Sequence, residues 1–181
     1  MAAPHMDNLG YLLYMTQRVV YYGLTQTLRQ ACVDHGKPYV ITPQQWGVLG
    51  TLAETDGLPA GKLGQRLASD APTTTGVISR LEHSGLVRRR HDETDRRVVK
   101  VHLTDEGRAA MAFLPQTVED YQRHILEGLS AADQRRLSAD LRHLIANVLG
   151  VLASETAAVP PWGLTEWDVQ VASTNTQRGD D

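Results

Sequence analysis

The stretch SDAPTTTGVISRLEHSGLVRRRHDETDRRVVKVHLTDEG, residues 69–107, decides the fold of this chain. Its first part, APTTTGVISRLEHSG, is typical of a helix built mainly from small residues and closed by a glycine. From Leu86 the apolar period changes to two, which places Val99, Val101 and Leu103 on one face of a strand. Paired with LVRRRH across the polar turn DETD, this strand predicts a hairpin whose loop carries positive charge.

Two helices and a tight turn are predicted on the N-terminal side of this stretch. Residues 8–32 have apolar side chains spaced three and four apart, as the buried stripe of a long helix requires. The segment 42–54 repeats this spacing, with Thr42 as its cap, Pro43 at the first helical position and Gln45 completing a capping box. A short helix, AGKLGQRLA, and the turn SD then give the order helix, tight turn, helix.

Two more helices are predicted on the C-terminal side. Thr104 caps the first helix, which we expect Pro115 to kink and Gly128 to end. Ser130 and Asp133 form a capping box for the second helix. The apolar stripes of the two helices are Ala110, Leu114, Val118, Tyr121 and Ile125, and Leu137, Leu141, Leu144, Val148 and Leu152.

Composition narrows the class of protein. With 181 residues and a net charge of −3, the chain suits one domain with an appendage. No apolar run approaches the roughly 18 residues that cross a bilayer, so we expect a cytoplasmic protein without a membrane partner. The single cysteine, Cys32, excludes an internal disulfide framework. Residues 153–181 are interpreted as an extension, partly flexible or docked through Trp162 and Trp167.

The order helix, tight turn, helix and basic hairpin predicts a mainly α fold with a small β-hairpin wing, a winged helix-turn-helix. This shape fits both grooves of duplex DNA, because the major groove, about 12 Å wide, admits a helix and a narrow minor groove attracts arginine. A helix of small residues also lets the backbone come close to base edges. The sequence therefore predicts double-stranded DNA as a partner.

These residues resemble the MarR (multiple antibiotic resistance regulator) family of bacterial transcription factors over roughly residues 9–152. The most specific part is GLVRRRHDETDRRVVKVHLTDEGRA, which is similar to the family's wing and the start of its next helix. The resemblance implies a homodimeric repressor that a small aromatic or phenolic effector releases from a pseudo-palindromic operator. The implied units are an N-terminal dimerisation helix (1–40), a DNA-binding lobe (41–104), C-terminal dimerisation helices (105–152) and the extension (153–181).

The resemblance also assigns DNA contacts. In the family, a wing arginine enters the minor groove and an aspartate two residues earlier holds its guanidinium; the matching pair is Asp95 and Arg97. Near the start of the recognition helix, the resemblance assigns base-edge and phosphate contacts to Ala71, Pro72, Thr73, Thr75 and Gly76. Phosphate contacts in the wing fall to Arg88, Arg89, Arg90 and Arg96.

The recognition helix departs from the family at one position. Many relatives have a long basic residue where this chain has Gly76, which argues against direct guanine reading there and for more dependence on DNA shape. Arg80, one turn later, is expected either to reach a phosphate or to form an ion pair with an acidic neighbour such as Glu82.

Dimerisation is expected because one winged domain cannot cover the apolar stripes of 9–28, 110–125 and 137–152. The first helix also carries groups suited to a small aromatic acid, and the alternative is that the same rings pack the dimer interface. The candidate ligand-binding residues are Tyr11, Tyr14, Arg18, Tyr22 and Trp46, with Tyr21 beside them.

Two other mechanisms compete with a ligand-responsive regulator. A redox sensor would use Cys32, whose only nearby cation along the sequence is Arg29. A small metal-dependent enzyme would need scattered histidines to converge. The sequence has no recognisable acid/base pair and no glycine-rich phosphate loop, so we expect no catalytic residue, no metal site and no cofactor.

Overall fold

A computed structural model describes residues 8–155 of the chain, with side chains placed as far as residue 151. Trp162, Trp167 and their predicted docking lie outside the described residues. Within the described range the helices are α1 (Leu9–Asp34), α2 (Pro43–Glu54), α3 (Ala60–Arg66), α4 (Ala71–His83), α5 (Asp105–Ala110), α6 (Leu114–Ile125) and α7 (Ala131–Glu155). The strands are β1 (Leu58–Pro59), β2 (Val87–His91) and β3 (Val99–Leu103). The predicted mainly α fold with a β wing is confirmed.

Side-chain caps fix the starts of three helices where the sequence predicts them. Thr42 and Gln45 form the expected capping box of α2, with the Thr42 N–H donating to Gln45 Oε1 at 2.9 Å. The Thr104 hydroxyl accepts the backbone N–H of Gly107 at 3.0 Å and so begins α5. The Ser130 hydroxyl accepts the N–H of Asp133 at 3.2 Å before α7. Each cap satisfies a backbone donor that has no partner within its helix.

The sheet has one strand more than the predicted hairpin. β2 and β3 pair antiparallel as expected, with Arg90 opposite Lys100. β1, for which the sequence predicted no strand, pairs antiparallel with the other edge of β3. Asp56, just before β1, supports this edge by accepting the backbone N–H of Leu103 at 2.9 Å and contacting the ring of His102 at 3.1 Å.

The expected kinked helix after Thr104 is two separate helices. α5 ends at Ala110, a short turn follows, and α6 begins at Leu114 with Pro115 in its first turn. Proline fits the first turn of a helix because the N–H that it lacks would have no helical partner there. The prediction of a kink at Pro115 was therefore wrong, since the proline starts a helix instead of bending one.

The core of the described chain lies among the C-terminal half of α1, helices α2 to α4, the inner face of the sheet and the starts of α5 and α6. Its largest fully buried side chains are Leu28, Ile41, Leu49, Leu52, Leu63, Ile78, Leu81, Leu86, Leu114, Val48, Val87 and Val101. α6 also packs against α1, where the Tyr121 hydroxyl donates to the carbonyl of Val20 at 2.8 Å. These contacts hold the middle and the C-terminal half of α1 against α6 and the core.

Long apolar stripes remain exposed beyond this core. In α1 the buried residues are confined to the C-terminal part, and in α7 no side chain through Val151 is buried. The exposed apolar residues on α1, on α6 with the turn that follows it, and on α7 include Leu9, Leu12, Leu13, Val19, Ile125, Leu129, Leu137, Leu141, Ile145, Val148 and Val151. No helix in the described part of the chain is long and apolar enough to cross a membrane.

Candidate nucleic-acid interface

Helix α4 is held at its start by a cap and by close packing on α3. The Asp70 carboxylate accepts the backbone N–H of Thr73 at 2.7 Å, and this hydrogen bond holds the pKa of Asp70 below its usual value. A Cβ atom on Gly64 of α3 would lie 2.9 Å from the carbonyl oxygen of Ser69, so only glycine allows the two helices this close. The turn between the helices also holds Ala68 at a φ of 48°, which is uncommon for a residue with a side chain.

One face of α4 is exposed and the other belongs to the core. Thr74, Val77, Ile78 and Leu81 are buried. None of the residues of α4 that were predicted to contact DNA is buried. Thr73 and Gly76 are half-buried, and the exposed ones are Ala71, Pro72, Thr75 and Arg80. The structure therefore places these six residues along one accessible side of the helix.

A charged cluster joins α4 to the wing. The guanidinium of Arg89 on β2 forms an ion pair with Glu82 and donates to the Ser79 hydroxyl at 3.2 Å. The backbone N–H of Arg89 donates to the second carboxylate oxygen of Glu82 at 3.1 Å. Glu82 therefore pairs with Arg89 and not with Arg80, its expected alternative partner. This cluster fixes the angle between α4 and the sheet.

The turn of the wing is organised by Asp92, a residue that the sequence reasoning did not single out. One carboxylate oxygen accepts the backbone N–H groups of Thr94 and Asp95, both at 2.9 Å, and the other pairs with Lys100. The Lys100 ammonium and these two N–H groups lower the pKa of Asp92 to about 2. Asp92 is therefore ionised at neutral pH. The sequence signal for this role is the position of Asp92 as the first residue of the turn DETD. Aspartate at such a position often accepts hydrogen bonds from backbone N–H groups further along the turn.

Asp95 and Arg97 contact each other in a different way from the expected one. The Asp95 carboxylate accepts the backbone N–H of Arg97 at 3.0 Å. Within residues 8–151 no ion pair joins this carboxylate to the Arg97 guanidinium, so the expected brace is corrected to a backbone contact. Local hydrogen bonding of this kind is common for aspartate in turns and competes with the long-range pair. The Arg97 side chain extends from the turn without that support.

Four arginines of the wing are exposed: Arg88 and Arg90 on β2, and Arg96 and Arg97 in the turn. None of the four forms an ion pair within the described part of the chain. The nearby carboxylate of Asp105 pairs with Arg108, and the charge of Arg88 makes only a small contribution to the lowered pKa of Asp105. The wing, which is joined to α4 through Arg89, therefore presents a group of accessible positive charges on β2 and in the turn. Such a surface suits an anionic polymer.

The candidate ligand-binding residues lie on two helices, α1 and α2. Arg18 donates to the Tyr14 hydroxyl at 2.7 Å on the exposed N-terminal half of α1, and Tyr22 is also exposed. Tyr11 is half-buried on the same helix, and Trp46 packs against the core from α2.

A cavity of about 500 Å³ lies between α1, α2 and the start of α4. Of the aromatic residues considered from the sequence, only Tyr21 lines it. Its other walls are Pro43, Gln44, Gly47, Val48, Leu67, Ala68, Ser69, Asp70, Thr73, Thr74 and Val77. A molecule in this cavity would contact the turn before α4 and the first residues of that helix, including Thr73.

Within residues 8–151, the structure does not have the exposed reactive thiol that a redox sensor would need or the metal-ligand cluster that a metal enzyme would need. Cys32 is fully buried, and burial raises the pKa of its thiol, which disfavours the reactive thiolate. In the region covered by the structure, no group of three or more His, Cys, Asp or Glu side chains is arranged to hold a metal ion.

Comparisons with known proteins agree on one family. The MarR family model matches residues 41–99. The homoprotocatechuate degradative operon repressor of Escherichia coli is 30% identical over 122 residues, which cover 65% of this chain and 82% of the repressor. The crystal structure of a probable transcriptional regulator from Pseudomonas aeruginosa is 30% identical with a TM-score of 0.67 and covers 76% of this chain and 97% of that one.

A third comparison concerns a protein whose DNA binding is regulated by a small molecule. The structure of Bordetella bronchiseptica BpsR, reported with a mechanism for regulation of its DNA binding by 6-hydroxynicotinic acid, is 26% identical. Its TM-score is 0.68, and the match covers 80% of this chain and 97% of BpsR.

Proposed function

Because this chain belongs to the MarR family of transcriptional regulators, we propose that it is a homodimeric repressor of a pseudo-palindromic operator, acting in the cytoplasm and released by a small ligand. The observation that carries the proposal is the exposed face of α4 together with the exposed arginines of a wing that is joined to α4 through Arg89. A helix of 13 residues is about 20 Å long, enough to lie across several base pairs of a major groove. The wing then lies over the adjacent minor groove.

The wing residues divide into two roles in this proposal. Arg97 enters the minor groove, while Arg88, Arg90 and Arg96 contact phosphates and fix the register of the protein on the duplex. Arg89 differs from these because Glu82 and Ser79 already hold its guanidinium. Its contribution to binding is to position the wing relative to α4.

Dimerisation is supported by the exposed stripes of α1, α6 and α7. A single chain leaves these apolar side chains in water, and packing two chains about a two-fold axis buries them against each other. Two copies of α4 would then face one side of the duplex. Their half-sites would lie about 10–11 bp apart, one helical turn of DNA.

The effector site that we propose is the cavity between α1, α2 and the start of α4. A ligand there contacts Tyr21 on α1 and Thr73 and Val77 on α4, so that its binding energy can favour a different tilt of α4. Regulation of BpsR by a small heteroaromatic acid supports a ligand of similar size. The direct experiment is selection of bound duplexes from a random pool, followed by a screen for small aromatic molecules that release the selected duplex.

Arg97→Ala is expected to weaken binding to the selected duplex by about 1–3 kcal/mol and to make the dependence of affinity on salt shallower. The reason is loss of a guanidinium from the narrow groove, where negative potential is concentrated. Binding is measured by fluorescence anisotropy at several salt concentrations. Glu93→Ala, an exposed neighbour in the same turn, serves as the control for substitution in the wing. If Arg97→Ala bound the duplex with unchanged affinity, the wing would not belong to the DNA interface.

Asp92→Ala is expected to weaken DNA binding by about threefold to tenfold, because the loss of its hydrogen bonds loosens the turn that presents Arg97. Removing a negative charge near DNA should by itself strengthen binding, as we expect for Glu93→Ala. Opposite signs for these two variants, measured on the same duplex, would show that Asp92 acts through the shape of the turn. Stronger binding by both variants would contradict that role. The low pKa of Asp92 predicts that its contribution persists above pH 4 and is lost as the pH falls towards 2.

A further inference from the structure

The exposed face of α4 has few groups that can read a base pair. Ala71, Pro72 and Gly76 provide no side-chain hydrogen-bond donor, and Thr75 provides a short hydroxyl. Arg80 is the one arginine or lysine of this helix, and its side chain is exposed. Any bidentate recognition of a base by α4 therefore depends on where the Arg80 guanidinium lies.

The guanidinium of Arg80 lies one turn upstream of its own backbone. Its Nη1 atom is 3.5 Å from the position that a Cβ atom on Gly76 would occupy. Long side chains in helices point back towards the N-terminus, so the direction is unstrained. Because Gly76 has no side chain, the helix surface at this position is open, and the guanidinium of Arg80 extends over it. The cation is thereby brought to the middle of the face that begins at Ala71.

No acidic group holds Arg80 away from that position. The nearest acidic residue in sequence, Glu82, is paired with Arg89 on β2. Asp70 at the start of the helix caps the N–H of Thr73. Arg80 itself forms no ion pair and no side-chain hydrogen bond among residues 8–151. Its five N–H donors are therefore available to a ligand.

We propose that Arg80, lying over Gly76, is the base-reading residue of this recognition helix and donates two hydrogen bonds to O6 and N7 of a guanine. The proposal rests on the proposed function as a DNA-binding regulator. The planar fork of arginine matches these two acceptors in the major groove, and a lysine ammonium cannot reproduce both bonds in the same geometry. Position 76 has no long basic side chain, and the guanidinium of Arg80 from the next turn occupies the space that such a side chain would fill.

The test is selection from a random duplex pool with the full-length chain, its Arg80→Ala variant and its Arg80→Lys variant. The unsubstituted protein should require guanine at one position of each half-site. Arg80→Ala should lose that requirement and bind the preferred duplex about 5- to 150-fold more weakly, while preferences at the other positions remain. Arg80→Lys keeps the charge and hence the salt dependence of binding, but without the planar fork it should prefer guanine less strongly than the unsubstituted protein.

Two further variants separate base reading from a general electrostatic effect. Arg90→Ala, which removes an exposed wing arginine, should weaken all duplexes by a similar factor and leave every base preference in place. Gly76→Leu should displace the guanidinium and remove the same guanine preference as Arg80→Ala, with no additional loss in the double variant. Both substitutions on α4 lie at accessible positions, and leucine favours a helix over glycine, so thermal melting should show an intact fold.

The outcomes distinguish this inference from the proposed function. If Arg80→Ala weakens every duplex equally and no position loses its preference, Arg80 contacts a phosphate and the inference is overturned while the function stands. If Arg80→Lys prefers guanine as strongly as the unsubstituted protein does, the planar fork of arginine is not what reads the base, and the inference is overturned as well. If the unsubstituted protein binds DNA without any sequence preference, the proposed function fails first and the inference fails with it.

Discussion

Replacing Leu141 with aspartate is expected to convert the proposed dimer into a monomer and to weaken binding to the proposed two-half-site operator by about 100-fold or more. Leu141 lies on the apolar stripe of α7, and the residue is 38% exposed in the single chain. In a dimer this position would be covered by the partner, and an aspartate there would have to lose its hydration without a compensating cation. A monomer retains one α4 and one wing, so it loses the gain from binding two linked half-sites.

The measurement combines analytical ultracentrifugation with anisotropy titrations on the selected duplex. Asn147→Asp adds the same single negative charge to α7 away from the apolar stripe, and it should leave both the dimer and the affinity in place. A half-site duplex offers a second control, since Leu141→Asp should bind it about as well as one protomer of the unsubstituted protein does. A dimeric Leu141→Asp variant with full affinity would show that this stripe is not the interface.

Gly107→Ala is expected to lower the free energy of unfolding by about 3 kcal/mol or more, since it forces atoms into a filled space. A Cβ atom at this position would lie 2.1 Å from the carbonyl oxygen of Leu86 and 3.2 Å from Cδ2 of Leu103. The first of these neighbours is backbone, and its oxygen also accepts the N–H of Thr104 at 3.1 Å. Relief of the clash must therefore move the start of β2 away from α5.

Urea denaturation of both proteins gives the free energies of unfolding. Gly61→Ala is the matched control, because nothing lies within 4 Å of the added atom and alanine favours the helix. The control should be neutral or more stable by up to about 1 kcal/mol. Equal unfolding midpoints for Gly107→Ala and the unsubstituted chain would mean that α5 and β2 are less closely packed than the structure indicates.

Local signals predicted most of the fold. The capping box at Thr42 and the cap at Thr104 involve residues three positions apart, and the helices begin where these caps are. The change of apolar period at Leu86 predicted an antiparallel hairpin, and β2 and β3 form one. The error at Pro115 was also local: the same proline is compatible with a kink or with a first turn, and only packing chooses between them.

Long-range contacts were harder to predict. β1 contains two residues, one of them Pro59, and its pairing with β3 joins segments about 40 residues apart. The partner of Glu82 is set by strand β2 passing next to α4, which no spacing along α4 reveals. The proposed ligand residues show the same limit. Their spacing places Tyr14 and Arg18 in contact on α1, but it does not predict that Trp46 on α2 packs against the core. The DNA-contact assignments themselves stay predictions until the binding experiments are done.

The link between Glu82, Arg89 and Ser79 has a kinetic consequence. Because it links the wing to α4, we expect the two elements to move together whenever α4 tilts. In the proposed mode of binding, an effector that draws α4 out of the major groove would then withdraw the wing from the minor groove at the same time. Release should then follow one exponential phase, with no half-engaged species persisting on the operator.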